Sequence, residues 1–219
     1  MYKGIVLYCS HALPVILPSL PCCRIMSEGG SRGDVAMRTN ENVHRPGITP
    51  EEMAAGYDEW SENYEEMMIW KGGYRGPAIT LEEALRWVPP ERRAKARVLD
   101  VAAGTGCVGS ELHREGFRHI DAVDPSEGMM KQRETGIYTN DFLEFIGSGH
   151  STVPKGGFVI IVMRHEFLQT VPSYKDKLEP YMDQLEADGK WKKVERRIVP
   201  NYFCDKEGLV FVFRITKPE

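Results

Sequence analysis

The sequence predicts an α/β fold built on a parallel sheet, and three observations carry that expectation. From residue 97 onward, short apolar runs alternate with helical periodicities. A glycine-rich turn directly follows the first of those runs. Phe158-Val159-Ile160-Ile161-Val162-Met163 is apolar throughout and rich in β-branched residues, the composition of a strand buried on both faces. A chain of 219 residues suits one principal core with something appended. Its 42% hydrophobic and 27% charged residues are near the average for globular chains, which excludes a fibrous or wholly disordered class.

Residues 1–47 are expected to be unfolded. The stretch from Gly4 to Cys23 is apolar enough to suggest a leader or an anchor, but Pro14, Pro18 and Pro21 break it and His11 sits near its middle. Neither a spanning helix nor a secretory leader is expected from so interrupted a run. Met26 then opens a polar, glycine-rich segment with the composition of a disordered tail, and is a candidate start.

Order is expected from Thr49, in a domain spanning 48–219. Its first part, 48–90, reads as a helical cap. Thr49-Pro50-Glu51-Glu52 is a capping box with proline at the first helical position, and Met53, Ala54, Tyr57, Trp60, Tyr64, Met67 and Met68 continue one apolar stripe to Lys71-Gly72-Gly73. Thr80-Leu81-Glu82-Glu83 reads as a second box opening a shorter helix that Pro89-Pro90 ends. Residues 96–135 form a βαβ unit: Arg97 to Ala103, the turn Gly104-Thr105-Gly106, a helix with Val108 and Leu112, the strand His119 to Asp124, and a helix from Ser126 to Arg133. Residues 154–219 hold the rest of the sheet: Pro154-Lys155-Gly156-Gly157, the strand Phe158 to Met163, a helix carrying Leu178, Tyr181, Met182 and Leu185, and two strands, Trp191 to Val199 and Leu209 to Thr216, joined by Asp-Lys-Glu-Gly as an antiparallel hairpin.

The glycine turn points to a nucleotide-like ligand. Gly104-Thr105-Gly106-Cys107-Val108-Gly109 matches G-x-G-x-x-G, and Asp124 follows at the spacing of a ribose-binding carboxylate. Glycines let a ligand approach the backbone, and the next helix offers free N–H groups. Asp100, at the mouth of the preceding strand, would repel a pyrophosphate and attract an ammonium group, which favours S-adenosyl-L-methionine over a dinucleotide. The net charge of −4 and a pI near 5.9 give no general attraction to nucleic acid or to an anionic membrane. Five scattered cysteines without metal-ligand spacing argue against a disulfide framework or a metal site and for a reducing, cytoplasmic setting.

The run Val98-Leu99-Asp100-Val101-Ala102-Ala103-Gly104-Thr105-Gly106 resembles the first motif of class I S-adenosylmethionine-dependent methyltransferases. Val123-Asp124-Pro125-Ser126-Glu127-Gly128-Met129-Met130 resembles their second, and Pro154 to Gly157 the turn before their fifth strand. With Tyr57 to Tyr64 ahead and the hairpin behind, residues 50–216 are similar to the methyltransferase-like proteins of the Williams-Beuren chromosome region. The resemblance implies a Rossmann-like, seven-stranded sheet with helices on both faces and its last strand antiparallel. It implies cofactor contacts at Asp100, Ala102, Gly104, Thr105, Gly106, Asp124, Pro125 and Ser126, and methyl transfer to a small or unassigned acceptor.

The chain departs from that pattern in one place. Only about 20 residues separate the helix after Asp124 from Gly156, where two strands, two helices and their loops need about 50. The third and fourth strands are therefore expected to be missing, so that Phe158 to Met163 pairs directly with Val98 to Ala102 or faces a gap, and the cofactor is held poorly. Other assignments stay open. Tyr57, Trp60 and Tyr64 can form an aromatic lid or simple core; Arg164 and His165 can face an acceptor or sit at a surface strand end; Lys192 to Arg197 reads as a solvated strand face. A non-catalytic relative and a nicotinamide-dependent oxidoreductase are the competing functions.

Overall fold

The structure, a computed structural model, describes residues 4–9, 38–45, 47–145 and 156–216. Among these, seven strands form one sheet: β1 (Gly4–Cys9), β2 (Arg97–Val101), β3 (His119–Asp124), β4 (Asn140–Leu143), β5 (Phe158–Arg164), β6 (Trp191–Phe203) and β7 (Lys206–Ile215). Their spatial order is β4-β3-β2-β1-β5-β7-β6. The first five in that order run parallel, and β7 lies antiparallel between β5 and β6.

The central strand comes from the N-terminal segment: residues 4–9, expected to be unfolded with the rest of 1–47, form β1. Gly4–Cys9 inserts between β2 and β5, with Val6 opposite Leu99 and Val159, and Leu7 opposite Asp100 and Ile160. The physical reason lies in the run Gly-Ile-Val-Leu-Tyr-Cys, which has the apolar, β-branched character that marks β5 as a buried strand. The prolines that exclude a helix all lie beyond it, and about five or six residues suffice for a strand. Leu7 is fully buried. A helical turn over 38–42 adds buried Asn40 and Val43 to the body of the fold before Thr49. Residues 10–37, including Met26 and the leader question, lie outside the described residues, as do Pro154 and Lys155.

The expected deficit of strands is corrected in the same way. Asn140–Leu143 pairs parallel with β3, Asn140 opposite Asp121, and supplies the third strand of the βα series. β1 stands in the position next to β2 that the fourth strand would take. Phe158 to Met163 therefore neither pairs with Val98 to Ala102 nor borders a gap.

The helices are α1 (Pro50–Trp60), α2 (Gly76–Trp87), α3 (Pro90–Arg93), α4 (Cys107–Arg114), α5 (Glu127–Lys131), α6 (Phe167–Thr170) and α7 (Leu178–Ala187). At α1 the capping box forms in full: Thr49 Oγ1 accepts the Glu52 N–H at 3.1 Å, and the Glu52 carboxylate accepts the Thr49 N–H at 2.9 Å. The expected single stripe is interrupted, since a 3₁₀ turn (Ser61–Asn63) and a π-helical stretch (Glu66–Lys71) follow before Gly72. Thr80 does not open the next helix. α2 starts at Gly76 with Pro77 in its first turn, and the buried Thr80 hydroxyl donates back to the Gly76 carbonyl at 2.9 Å.

The hairpin is longer and its turn tighter than expected. Phe203 pairs with Lys206, leaving Cys204 and Asp205 as a two-residue turn with φ of 45° and 61°, the left-handed geometry that matches strand twist. The charges on edge strand β6 are tied down instead of merely solvated: Glu195 pairs with Arg86 at 2.7 Å, Arg196 with Glu179 at 2.7 Å, and Arg197 with buried Glu83. Charge along this edge also protects it from pairing with another chain.

Strand alternation builds one core on each face. Leu7, Val98, Ile120, Ile160, Val162, Val210 and Val212 pack under α2 and α4 with Ile79, Ala84, Val108 and Leu112. Ile161, Met163, Leu209, Phe211 and Phe213 pack on the other face with Phe167, Leu178 and Met182. Because Leu7 fills the middle of the first core, Leu7→Ala should cost about 2 to 5 kcal/mol, measured by denaturant titration. Deleting residues 1–9 should abolish the cooperative transition, and an unchanged midpoint would show that β1 is not part of the folded sheet in solution.

Candidate functional site

The site forms where β2 and β3 end. Alternation along β2 places Asp100 on the same face as Val98, beneath α4, and Leu99 and Val101 on the other. Beyond Val101 the chain turns sharply: Ala102, Gly104 and Gly106 all have positive φ, at 55°, 55° and 86°. Ala102 N–H donates to the Val123 carbonyl at 2.8 Å, which holds the turn against the end of β3. Thr105 is buried within it, its hydroxyl 3.4 Å from the Cys107 thiol. Cys107 is half-buried, and its thiol donates to the Glu65 carboxylate at 3.2 Å, so it bridges to the cap beyond merely filling space.

Asp124 ties the turn to the next strand. Its carboxylate accepts the Gly104 N–H at 2.7 Å on one oxygen and the Ser126 N–H at 2.9 Å on the other. Burial raises this carboxyl above its ordinary value, and the two backbone donors, with Arg133 nearby, oppose the rise. Each carboxylate oxygen has a second lone pair, so both can still accept a hydroxyl. Pro125 is half-buried. Ser126 caps α5, accepting the Met129 N–H at 3.1 Å and donating to Asp58 at 2.6 Å. Asp58 also accepts the Gly128 N–H at 2.7 Å, and a Cβ at Gly128 would lie 2.9 Å from the Asp58 Cα. The cap therefore rests directly on the start of α5.

Asp100 is placed differently from the open carboxylate expected at a strand mouth. It is buried, and the Tyr138 hydroxyl donates to it at 2.8 Å. Tyr138 also explains the third glycine of the motif, because a Cβ at Gly109 would fall 2.2 Å from its hydroxyl. At Gly104 a Cβ would by contrast meet only the flexible end of a side chain, Met129 Cε at 3.3 Å. Arg133 completes the arrangement: its Nε donates to the Gly104 carbonyl at 2.8 Å, its guanidinium lies 5.0 Å over the Tyr138 ring, and its buried Nη2 has no partner among the described residues.

The aromatic candidates form one cluster. Tyr57 stacks on Trp60 at 6.0 Å, and Trp60 meets Tyr64 edge-on at 5.1 Å. Trp60 is buried and donates to the Met67 sulfur, as a core residue would. Tyr57 lies near Asp124; burial first, and then the Asp124 charge, push its phenol well above the usual tyrosine range. Arg164, the last residue of β5, is buried and donates to Asn40 Oδ1 at 3.3 Å. His165 is at the surface, 3.1 Å from Glu207.

Asp58, Arg133, Tyr138, Asn40 and His44 were not singled out in the sequence. Asp58 lies inside the Tyr57–Tyr64 run, but its role depends on how α1 docks. Tyr138 falls in the interval expected to be short of structure, and Arg133 ends the helix expected from Ser126. Among the described residues no group of His, Cys, Asp and Glu could hold a metal ion, and no helix is long and apolar enough to cross a membrane.

Strand order, an antiparallel strand between β5 and β6, and a glycine turn held by the carboxylate that ends the next strand define a Rossmann-like sheet of the class I methyltransferase type. The chain is similar to human methyltransferase-like protein 27, with 29% identity over 194 residues that cover 75% of this chain and 78% of that one. No family model matches. Two solved structures follow a similar path: the 1,6-didemethyltoxoflavin-N1-methyltransferase of Burkholderia thailandensis (16% identity, 78% of this chain and 92% of that one, TM-score 0.48) and a SAM-dependent methyltransferase of Leishmania major (11%, 85% and 87%, TM-score 0.46). The fold assignment rests on the strand order itself.

Two groups beside this site should titrate against each other. Burial lifts Asp100 to about 6. Burial likewise lowers His44, enclosed by Tyr57 and Phe167, to about 4. Between about pH 4 and 6 the folded state keeps the Asp100 proton that the unfolded chain loses, so this contribution to stability falls as pH rises. Between about pH 6.5 and 4 the unfolded chain protonates His44 first, so that contribution falls as pH drops. Each is on the order of 3 kcal/mol at full extent, and they nearly cancel. Urea titrations across this window should show a shallow pH dependence for the native chain, a steep acid loss for Asp100→Asn, and the opposite slope for His44→Gln. Equal slopes in all three would refute the opposed titrations.

Proposed function

We propose that this chain is an S-adenosyl-L-methionine-dependent methyltransferase acting on a small acceptor. The observation that carries the proposal is the Asp124 carboxylate, which closes the glycine turn through the Gly104 N–H and keeps a lone pair on each oxygen for a ribose hydroxyl. The similarity to human methyltransferase-like protein 27 supports the same activity.

The residues present fit the cofactor. Gly104 is half-buried with only Met129 Cε near its Cα, Ser126 and the start of α5 flank the carboxylate, and Tyr57 brings an aromatic ring beside it. Asp124 would hold the ribose, and Gly104 to Gly106 would lie along the methionine portion. Asp100 would act through Tyr138 and the turn, since its own carboxylate is already engaged. When bound, the cofactor supplies an electrophilic methyl group, and no covalent protein nucleophile is needed. The protein's part is to hold the acceptor in line, an effect of orientation. The carboxyl ends of β1 and β5 border this site, so the acceptor would enter over Arg164 and Tyr57. A cytoplasmic setting belongs to this reading, as the scattered cysteines of the sequence suggest.

A non-catalytic binding protein is the second reading, favoured by Asp58, which covers the start of α5. Calorimetric titration of the full chain with S-adenosylhomocysteine separates these readings. Asp124→Asn should bind at least about tenfold more weakly than the native chain, since hydrogen bonds to a charged group contribute about 1.5 to 3 kcal/mol each. Binding of NAD in place of S-adenosylhomocysteine would instead favour an oxidoreductase.

A further inference from the structure

Resting on the methyl-transfer reading above, we infer that Arg164 and Asn40 form a subsite that binds a carboxylate group of the acceptor. The two side chains meet at the carboxyl end of β5, where ligands of parallel α/β sheets are held. Arg164 is 5% exposed and Asn40 1%. Arg164 Nη1 donates to Asn40 Oδ1 at 3.3 Å, and its Nη2 donates to Glu166. That leaves Arg164 Nε and Asn40 Nδ2, each buried and each without a partner among the described residues. Buried donors are nearly always satisfied, and two in one contacting pair call for an explanation.

The chemistry of the pair selects the ligand. Both orphaned atoms are donors, so the group that satisfies them must bring acceptors, and a carboxylate brings only acceptors. The local charge agrees: Glu166 is shared between Arg164 and Lys206, the latter at 2.9 Å, which leaves two cations against one carboxylate. The Arg164 guanidinium is further held over the Phe167 ring at 4.9 Å, which fixes its plane.

Contacts through His44 lead from the subsite to Tyr57. The Asn40 carbonyl lies 2.6 Å from His44 Nδ1, and His44 Nε2 lies 3.4 Å from the Tyr57 hydroxyl. Tyr57 in turn feels the Asp124 charge. An acceptor anchored by its carboxylate at Arg164 would thus extend toward the ribose-binding carboxylate at Asp124. The third orphaned donor, Arg133 Nη2, belongs to the guanidinium that lies over the Tyr138 ring and donates through Nε to Gly104.

The test is calorimetric titration of the full chain with sodium acetate and sodium benzoate, each paired with its neutral amide, with and without S-adenosylhomocysteine. The native chain should bind a carboxylate and reject the matching amide. Asn40→Asp keeps the oxygen that accepts from Arg164 and replaces the free donor by a negative charge. It should weaken carboxylate binding at least about tenfold while the melting temperature holds or rises, a split that a purely structural Asn40 would not produce. Arg164→Lys, which keeps the charge and loses the Nε donor, should weaken it as well. No carboxylate binding by the native chain up to about 10 mM, or equal binding by Asn40→Asp, would overturn the subsite. Loss of S-adenosylhomocysteine binding alone, with the carboxylate results unchanged, would overturn the methyl-transfer reading and leave the anion site standing.

Discussion

The two parallel ladders of β1 are the constraint on which the rest of the structure depends. β2 carries the glycine turn and β5 ends at Arg164, and the two are not paired with each other; Gly4–Cys9 forms a ladder with each and sets their register. Leu7, opposite both Asp100 and Ile160, fills the core face at the one place where the two halves of the sheet meet. Without that strand, the buried apolar edges of β2 and β5 would be exposed, with their backbone groups unpaired.

The glycine turn shows how one short motif can serve two masters. Gly104 and Gly106 are required by positive φ, a backbone property independent of any ligand. Gly109 is required by the Tyr138 hydroxyl, and Tyr138 is in turn held by Asp100 and covered by Arg133. The glycines are thus consumed in building the turn, and Asp124 and Ser126 hold it against the start of α5. Desolvation raises both aspartates; at Asp124 the Ser126 and Gly104 N–H groups and Arg133 oppose the rise, and at Asp100 Tyr138, Arg133 and the Gly109 N–H do.

Much of the fold was legible because periodicity and capping are local signals. The box at Thr49, the strand at Phe158, the βαβ unit around Gly104 and the antiparallel ending follow from residues close together in sequence. What escaped was non-local. Gly4 to Cys9 has strand composition, yet nothing nearby shows that its partners are β2 and β5, and the prolines that follow drew the reading toward disorder. Asn140–Leu143 has only one apolar pair, Phe142 and Leu143, too weak a pattern to mark an edge strand. At the site, Asp124 and the turn were legible from spacing. Asp58, Tyr138 and the Asn40–Arg164 pair were not, because each becomes a partner only through docking of distant segments.

The origin of the central strand also governs how this chain must fold. Gly4 pairs with Arg97 and Ile5 with Phe158, so β1 has no hairpin neighbour and gains its ladders only when distant parts of the chain have come together. Loop-closure entropy must be met before such contacts reward it, which slows assembly of the sheet's middle relative to the local β6–β7 hairpin. Until then a six-residue apolar segment stays unpaired and able to join strands of other molecules. The last ladders to close are those that join the half of the sheet carrying the glycine turn to the half that ends at Arg164.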